Sequence, residues 1–518
     1  MDPADTTNST PPPDGATLAP SLDDDIGTFS EKAKAKERRR ILKNIILISF
    51  AFLCVFTAFQ GLSRLQSSLL RTDGMGVITL SVLYATLVVS CLLIPKLLIS
   101  AIGHKWTIPL SFSGYIIWMA ANGYATWYTM VPASIMVGIC AAPLWTAQCS
   151  YFTKIAGRYA ALSGEAEHVV VTRFFGIFFM FFQFSGITGS IITATILKPK
   201  TIPGENETLN SEQIREFCGV NDCPQNNVSY NTNLEQPSSG TVWTMLGVFI
   251  GIAVLAVLLV IVAVDKLPLS MREDRKKAKQ EVCKSLINTV IHLKKPNQCI
   301  LIPLTMYSGF EQAFYSAEWT GSFVSCGIGI WKVGLVTLSF GVVNTVVSMA
   351  GGHIVKYIGR LPVLTVGMLV DLAIQLTLIL WPLDKDKEYF FYIISGLWGL
   401  TDGIWQTQIN ALYGSIFSDT SEAAFSNYRM WESFGFIIPF AYSGFICTNF
   451  KVYILLCVLL VGMMGYYIVE WRHRQEQKLT TDAGKPGVDM TNTNTDTIKN
   501  GVKSNPIFVE DDSISTRM

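Results

Sequence analysis

Residues 389–436 read YFFYIISGLWGLTDGIWQTQINALYGSIFSDTSEAAFSNYRMWESFGF, and how they are read decides the fold. The first half is apolar for long enough to cross a bilayer, which takes about 20 helical residues. Its middle nevertheless carries Asp402, Gln406, Gln408 and Asn410. A charged residue at the bilayer centre costs roughly 2.5–3.5 kcal/mol on insertion scales, so it is tolerated where it faces protein, water or a ligand. The stretch therefore predicts a multi-helix membrane bundle with a polar interior, lined by residues 389–414.

The same stretch has an echo. Trp405-Gln-Thr-Gln408 matches Trp145-Thr-Ala-Gln148, at an offset of 260. Ser443-Gly444-Phe445 echoes Ser185-Gly186-Ile187, Phe434-Gly435 echoes Phe175-Gly176, Ile358-Gly359-Arg360 echoes Ile102-Gly103-His104, and Phe310-Glu311 echoes Phe59-Gln60. The matches are colinear and their offsets drift smoothly, which is the signature of two parallel repeats.

Composition points the same way. Half of the residues are hydrophobic, only 15% are charged, and the mean hydropathy is +0.37; a soluble chain of this length would carry more charge. The net charge of +1 gives no footprint for nucleic acid. Apolar runs predict twelve spans, at 43–63, 77–99, 106–126, 128–152, 172–197, 241–264, 299–322, 330–352, 361–382, 389–414, 427–448 and 451–470. The chain then divides into a disordered cytosolic N-terminal tail with a basic end (1–42), an N-terminal six-helix bundle (43–264), a basic cytosolic linker (265–298), a C-terminal six-helix bundle (299–470) and a disordered cytosolic tail (471–518). The fold class expected is all-α, a polytopic membrane protein of twelve transmembrane helices in two parallel six-helix repeats.

Lys and Arg placement puts both termini in the cytosol, because positively charged segments stay inside. Most of that signal comes from 31–43 and 265–298. The segment 198–240 is then outside. It carries two N-glycosylation acceptors, Asn206-Glu-Thr208 and Asn227-Val-Ser229. It also carries Cys218 and Cys223, the one close cysteine pair, expected to form a local disulfide in an oxidising compartment. Asn8 is a third acceptor but falls on the cytosolic side.

The candidate cavity residues are Gln60, Glu311, Asp402, Gln406 and Gln408, all polar at bilayer depth. Intramembrane acids are functional by default, as proton or cation sites. A neutral acid hydrogen-bonding a neighbouring helix is the bland alternative, and it is the reading for Asp371 and Glu318. Gly396, Gly399 and Gly403 suit close helix packing. Arg429 and Glu432 are three apart on a helix and can pair, as a cytosolic gate or as an ion pair that holds the span in register. No nucleophile–base motif, glycine-rich phosphate loop, zinc spacing or cofactor motif is present, which argues against an enzyme, a metal site and a cofactor.

Gly352-His-Ile-Val-Lys-Tyr-Ile-Gly359-Arg360 resembles the signature between spans eight and nine of major facilitator superfamily proteins, with Gly103-His104-Lys105 as its weaker copy. That pattern has an Asp where this chain has Lys356 and Ser100, which puts the usual transporter gating contact in doubt. Longer runs, Ala141-Ala-Pro-Leu-Trp-Thr-Ala-Gln-Cys149, Cys218-Gly-Val-Asn-Asp-Cys223, Ser395-Gly-Leu-Trp-Gly399, Trp405-Gln-Thr-Gln-Ile-Asn-Ala-Leu-Tyr-Gly414 and Ala423-Ala-Phe-Ser-Asn-Tyr-Arg-Met-Trp-Glu432, resemble the Unc-ninety-three family, homologue A branch. The resemblance covers roughly residues 41–472. It implies a twelve-span major-facilitator fold and an accessory role in the membrane. One branch regulates two-pore-domain potassium channels in muscle, and another escorts Toll-like receptors out of the endoplasmic reticulum. Two readings compete: a regulator of a potassium channel complex at the plasma membrane, and a secondary transporter coupled to protons or cations, its solute unnamed. A trafficking escort in internal membranes is the third. Membrane lipid is a partner in all three.

Overall fold

A backbone inside hydrocarbon must satisfy its own polar groups, so long apolar runs can cross only as helices or as closed barrels. This chain takes the first route. A computed structural model describes residues 30–199, 211–224, 231–267, 287, 289–417 and 420–483. Asn8, Asn206, Asn227, the basic residues of 268–286 and the segment after 483 lie outside the described residues.

Among the described residues twelve long helices stand, one over each expected span. They are α1 (Glu31–Ser63), α2 (Met75–Ile102), α3 (His104–Ala121), α4 (Trp127–Ser163), α5 (Glu167–Ile196), α6 (Ser239–Ala263), α7 (Pro296–Phe314), α8 (Val333–Ile358), α9 (Arg360–Leu380), α10 (Glu388–Ile416), α11 (Ser421–Tyr442) and α12 (Thr448–Ala483). Helix α7 runs on as a π-helical stretch, Tyr315–Ser325. Eight of these are long and apolar enough to cross a membrane. The other four are α3, α7, α10 and α11. The last three carry Glu311, Asp402, Arg429 and Glu432, so their low hydropathy marks the helices that wall the interior.

Two element ends depart from expectation. The basic run 31–43 is the first turns of α1, which Ser30 caps by accepting from the Ala33 N–H at 3.4 Å. Alternating Lys, Ala, Glu and Arg are good helix formers, and the charge run hid that propensity. At the other end α12 continues to Ala483 instead of stopping at 470. The chain up to Val469 is one compact unit; Glu470 opens a second, in which Arg474 Nε holds Glu470 at 2.9 Å.

The repeat is visible in the contacts. Helices α1 and α5 pack together, as do α7 and α11; α2 with α4 is matched by α8 with α10, and α3 with α4 by α9 with α10. The two halves join along α2–α11 and α5–α8, which exchange under the same symmetry. The break between the second and third helix of each half is also repeated. Gly103 (φ 82°) and Gly359 (φ 82°) occupy the same positive-φ conformation, reached without strain only by glycine. Gly435 is another close approach: a Cβ there would lie 2.1 Å from the Met306 carbonyl oxygen, so α7 and α11 meet backbone to backbone. Gly399 and Gly403 take the packing role, against Phe340 and Val347 of α8.

One end of the bundle carries the described part of the 198–240 segment, including the short helix Ser211–Phe217; call it the loop end. Here the expected local disulfide is corrected. Cys218 is bonded to Cys326, just past the π-helical stretch, and Cys223 to Cys447, just before α12. The 3-10 turn Gly219–Asn221 between the two cysteines sends them to different helices of the C-terminal half. At the opposite, linker end, Asp265 pairs with Arg40 at 2.9 Å and Lys43 at 3.0 Å, tying α1 to the end of α6. The Arg40 hydrogen bond, with that of Lys43, holds the Asp265 carboxyl well below the usual carboxylate range.

Candidate functional site: the polar seam between the halves

Buried polar groups need partners, and in this interior most of them find one across a helix pair. From the N-terminal half, Gln60 Nε2 donates to Ser185 Oγ at 3.1 Å and Arg64 Nη1 to Ser190 Oγ at 3.3 Å. Ser190 meets Thr337 of α8 at 3.0 Å, and the Arg64 guanidinium sits 5.1 Å from the centre of the Phe340 ring. Deeper in the seam Gln183 of α5 donates to Ser348 Oγ at 3.1 Å and to Asn344 Oδ1 at 3.4 Å. Asn344 in turn donates to the Asp402 carboxylate. Asp402 is therefore linked to the other half through one asparagine.

Glu432 is the hub of the second cluster. Its carboxylate accepts from Arg429 at 2.8 Å, Tyr428 OH at 3.0 Å, Ser308 Oγ at 3.3 Å and Gln406 Nε2 at 3.4 Å. Four donors from α7, α10 and α11 satisfy its two oxygens in a buried place, as a buried acid requires. Asn410 joins through the Gln406 carbonyl at 2.6 Å. The Arg429–Glu432 pair is thus part of an interior network rather than an isolated helix-end pair. Arg429 itself is 56% exposed. It is also close enough to Cys149 of α4 and Cys91 of α2 to interact with them electrostatically, and both thiols are exposed.

Glu311 differs from every other acid here. It is 1% exposed, and neither carboxyl oxygen has a hydrogen-bond partner among the described residues. The Trp398 indole N–H faces it without closing a bond, and Asp402 and Asp371 act on it through space. A carboxyl group so placed can hold a proton or a small cation. Asp371, by contrast, is closed off by Tyr307 OH and Trp405 Nε1, each at 2.7 Å. Glu318 is closed off by Lys451 at 2.8 Å and Ser443 at 2.5 Å.

Of the residues expected from sequence, the structure brings Gln406, Arg429 and Glu432 together, and separately ties Asp402 to the seam. Gln60 lies in the neighbouring N-terminal cluster. Gln408 stands apart, its side-chain nitrogen donating to Thr407 Oγ1 at 3.1 Å. Residues not singled out from sequence are Ser308, Tyr428, Asn344 and Lys451. Tyr428 was legible, four before Glu432 on one helix face; Asn344 and Lys451 had no such signal. Among the described residues no group of three His, Cys, Asp or Glu could hold a metal ion.

Comparison with known proteins follows from this architecture. The family "Ion channel regulatory protein UNC-93" matches residues 71–467. Protein unc-93 homolog A of Xenopus laevis is 43% identical over 438 residues, covering 84% of this chain and 95% of that protein. The chain belongs to the UNC-93 family. Its human homolog A relative is 40% identical over 432 residues, 83% of this chain and 93% of that one. The "Putative potassium channel regulatory protein unc-93" of Caenorhabditis elegans is 32% identical over 452 residues, 86% of this chain and 63% of that one. In shape, this UNC-93 member resembles major facilitator transporters. A point-mutant form of the nucleoside transporter NupG superposes with a TM-score of 0.59 at 11% identity, over 83% of this chain and 99% of that one. The xylose transporter XylE of E. coli gives 0.53 at 13% identity, over 83% and 98%. Identities this low carry the fold alone.

Proposed function

We propose that the chain is a membrane accessory subunit that regulates a potassium channel complex at the plasma membrane. On this reading the termini are cytosolic and the loop end faces outward. The observation that carries it is the 32% identity, over 452 residues, to a relative whose own name is that of a putative potassium channel regulator. The interior supports it. Most of the intramembrane acids are closed off by hydrogen bonds and ion pairs, as structural acids are. A two-pore-domain potassium channel is the partner proposed.

The test is co-expression with such a channel, reading current and co-purification in mild detergent. Glu311→Gln with Asp402→Asn should leave channel modulation and co-purification unchanged at equal surface expression. Loss of modulation by that double change, with normal surface expression, would count against an accessory role.

A second reading, a secondary transporter coupled to protons or cations, is favoured by Glu311. A buried, unpartnered carboxyl that Asp402 and Asp371 act on is a place for a coupling ion. Saturable uptake into vesicles that disappears in the double variant would establish it.

A further inference from the structure

Asp222 belongs to the N-terminal half by chain order, yet the cysteines around it and its own backbone carbonyl are bonded to the C-terminal half. Next to it, Cys223 is bonded to Cys447; four residues before it, Cys218 is bonded to Cys326. The Asp222 carbonyl accepts from the Thr448 N–H at 2.9 Å. On the same side Asn231 and Asn233 each donate to the Cys326 carbonyl at 3.1 Å. Its carboxylate reaches back to the N-terminal half. Both oxygens accept from Arg71 Nη2, at 2.8 and 2.9 Å, and Arg71 precedes α2 in the N-terminal half.

We propose that this loop is a latch across the loop end of the seam. The two disulfides fix Asp222 to the C-terminal half, and Asp222 grips Arg71 of the other half. The pair is largely out of solvent, with Asp222 8% exposed and Arg71 30% exposed, which strengthens it over a surface pair. Tethering matters because a carboxylate held in place meets its partner at a high effective concentration, without first being ordered. Under the latch the halves touch directly. Ser67 meets Thr320 at 3.3 Å, Ser68 meets Ser325 at 2.7 Å, and a Cβ on Gly74 would lie 3.3 Å from Gly444 Cα. Within the N-terminal half, Gln236 donates to the Ser68 carbonyl at 3.0 Å and braces that contact. These contacts and the Asp222–Arg71 pair together hold the loop end shut. This holds whether the chain regulates a channel or carries a solute.

The test places a reporter thiol below the seal. Thr337→Cys replaces a buried hydroxyl that bridges the halves to Ser190. Cells expressing the full chain are treated with a membrane-impermeant methanethiosulfonate, and labelling is compared with the chain lacking the reporter. With the latch intact, labelling from the loop side is slow. With Arg71→Gln, which keeps both disulfides, or with Cys223→Ser and Cys447→Ser together, it rises at least ten-fold. Fast labelling with the latch intact overturns the proposal, as does slow labelling in both variants at normal surface expression. A chain opened by the cysteine changes but not by Arg71→Gln overturns the grip assigned to the ion pair. Should the cysteine variant fail to reach the surface, Arg71→Gln alone decides.

Discussion

Lys451 is the residue that sequence reading leaves unexplained. It opens the last predicted span, where a lysine is expected to snorkel toward the interface. Instead its ammonium is 3% exposed and is held by Glu318 at 2.8 Å and by the Ser443 carbonyl at 2.7 Å. Removing one member of such a pair strands the other's charge in a low-dielectric place, at about 3–5 kcal/mol. Lys451→Met should therefore lower the thermal stability of the purified protein sharply. Adding Glu318→Gln should recover most of the loss, because a neutral amide replaces the stranded carboxylate. Equal melting temperatures for the single and the double variant would show that the pair is not coupled. The acids were legible one by one, since any charge inside a long apolar run stands out. Their partners were not. Asn344 is an unremarkable polar residue in sequence, and only the crossing of α8 and α10 turns it into the donor for Asp402.

At the scale of elements, glycine positions carry the packing. Gly435 lets α11 rest on the backbone of α7 at Met306, and Gly309 answers from the other helix, where a Cβ would lie 2.2 Å from the Glu432 carbonyl oxygen. Because that carbonyl belongs to the residue at the centre of the second polar cluster, this crossing also sets the register of Ser308 against Glu432. Gly435→Ala should cost about 1–3 kcal/mol through overpacking. Gly396→Ala, whose new Cβ would meet nothing nearer than Val343 Cγ2 at 3.6 Å, should be close to neutral. Detergent melting curves of the two variants check the contrast; similar losses for both would refute it. Twelve helices were countable from the sequence because apolar runs of bilayer length are punctuated by glycine, proline and charge. Helices α7, α10 and α11 pass that count only by tolerating interior polarity. The end of α12 was misplaced because its last turns are polar, and hydropathy records where a span stops rather than where a helix does.

For the whole molecule, two readings of the sequence met different fates. The doubled six-helix unit was visible as short matches at nearly constant offset, and the exchange of α2–α11 with α5–α8 is its structural counterpart. The cysteines misled. A spacing of five residues invited a local bridge, but the turn between Cys218 and Cys223 points them to different helices, and their partners lie 108 and 224 residues downstream. No spacing rule reaches that far. The closed loop end is a property of the assembled halves, which no single stretch encodes.

Those long-range bridges set a timetable for biogenesis. During synthesis Cys218 and Cys223 emerge well before Cys326 and Cys447, so for many seconds at ribosomal speeds the nascent chain displays two thiols with no lawful partner. The tempting error is the neighbour-to-neighbour bond that proximity favours, and escaping it calls for isomerisation once α12 is in place. A chain cut short after its first half would hold neither Cys326 nor Cys447, so neither cysteine could ever reach its native partner.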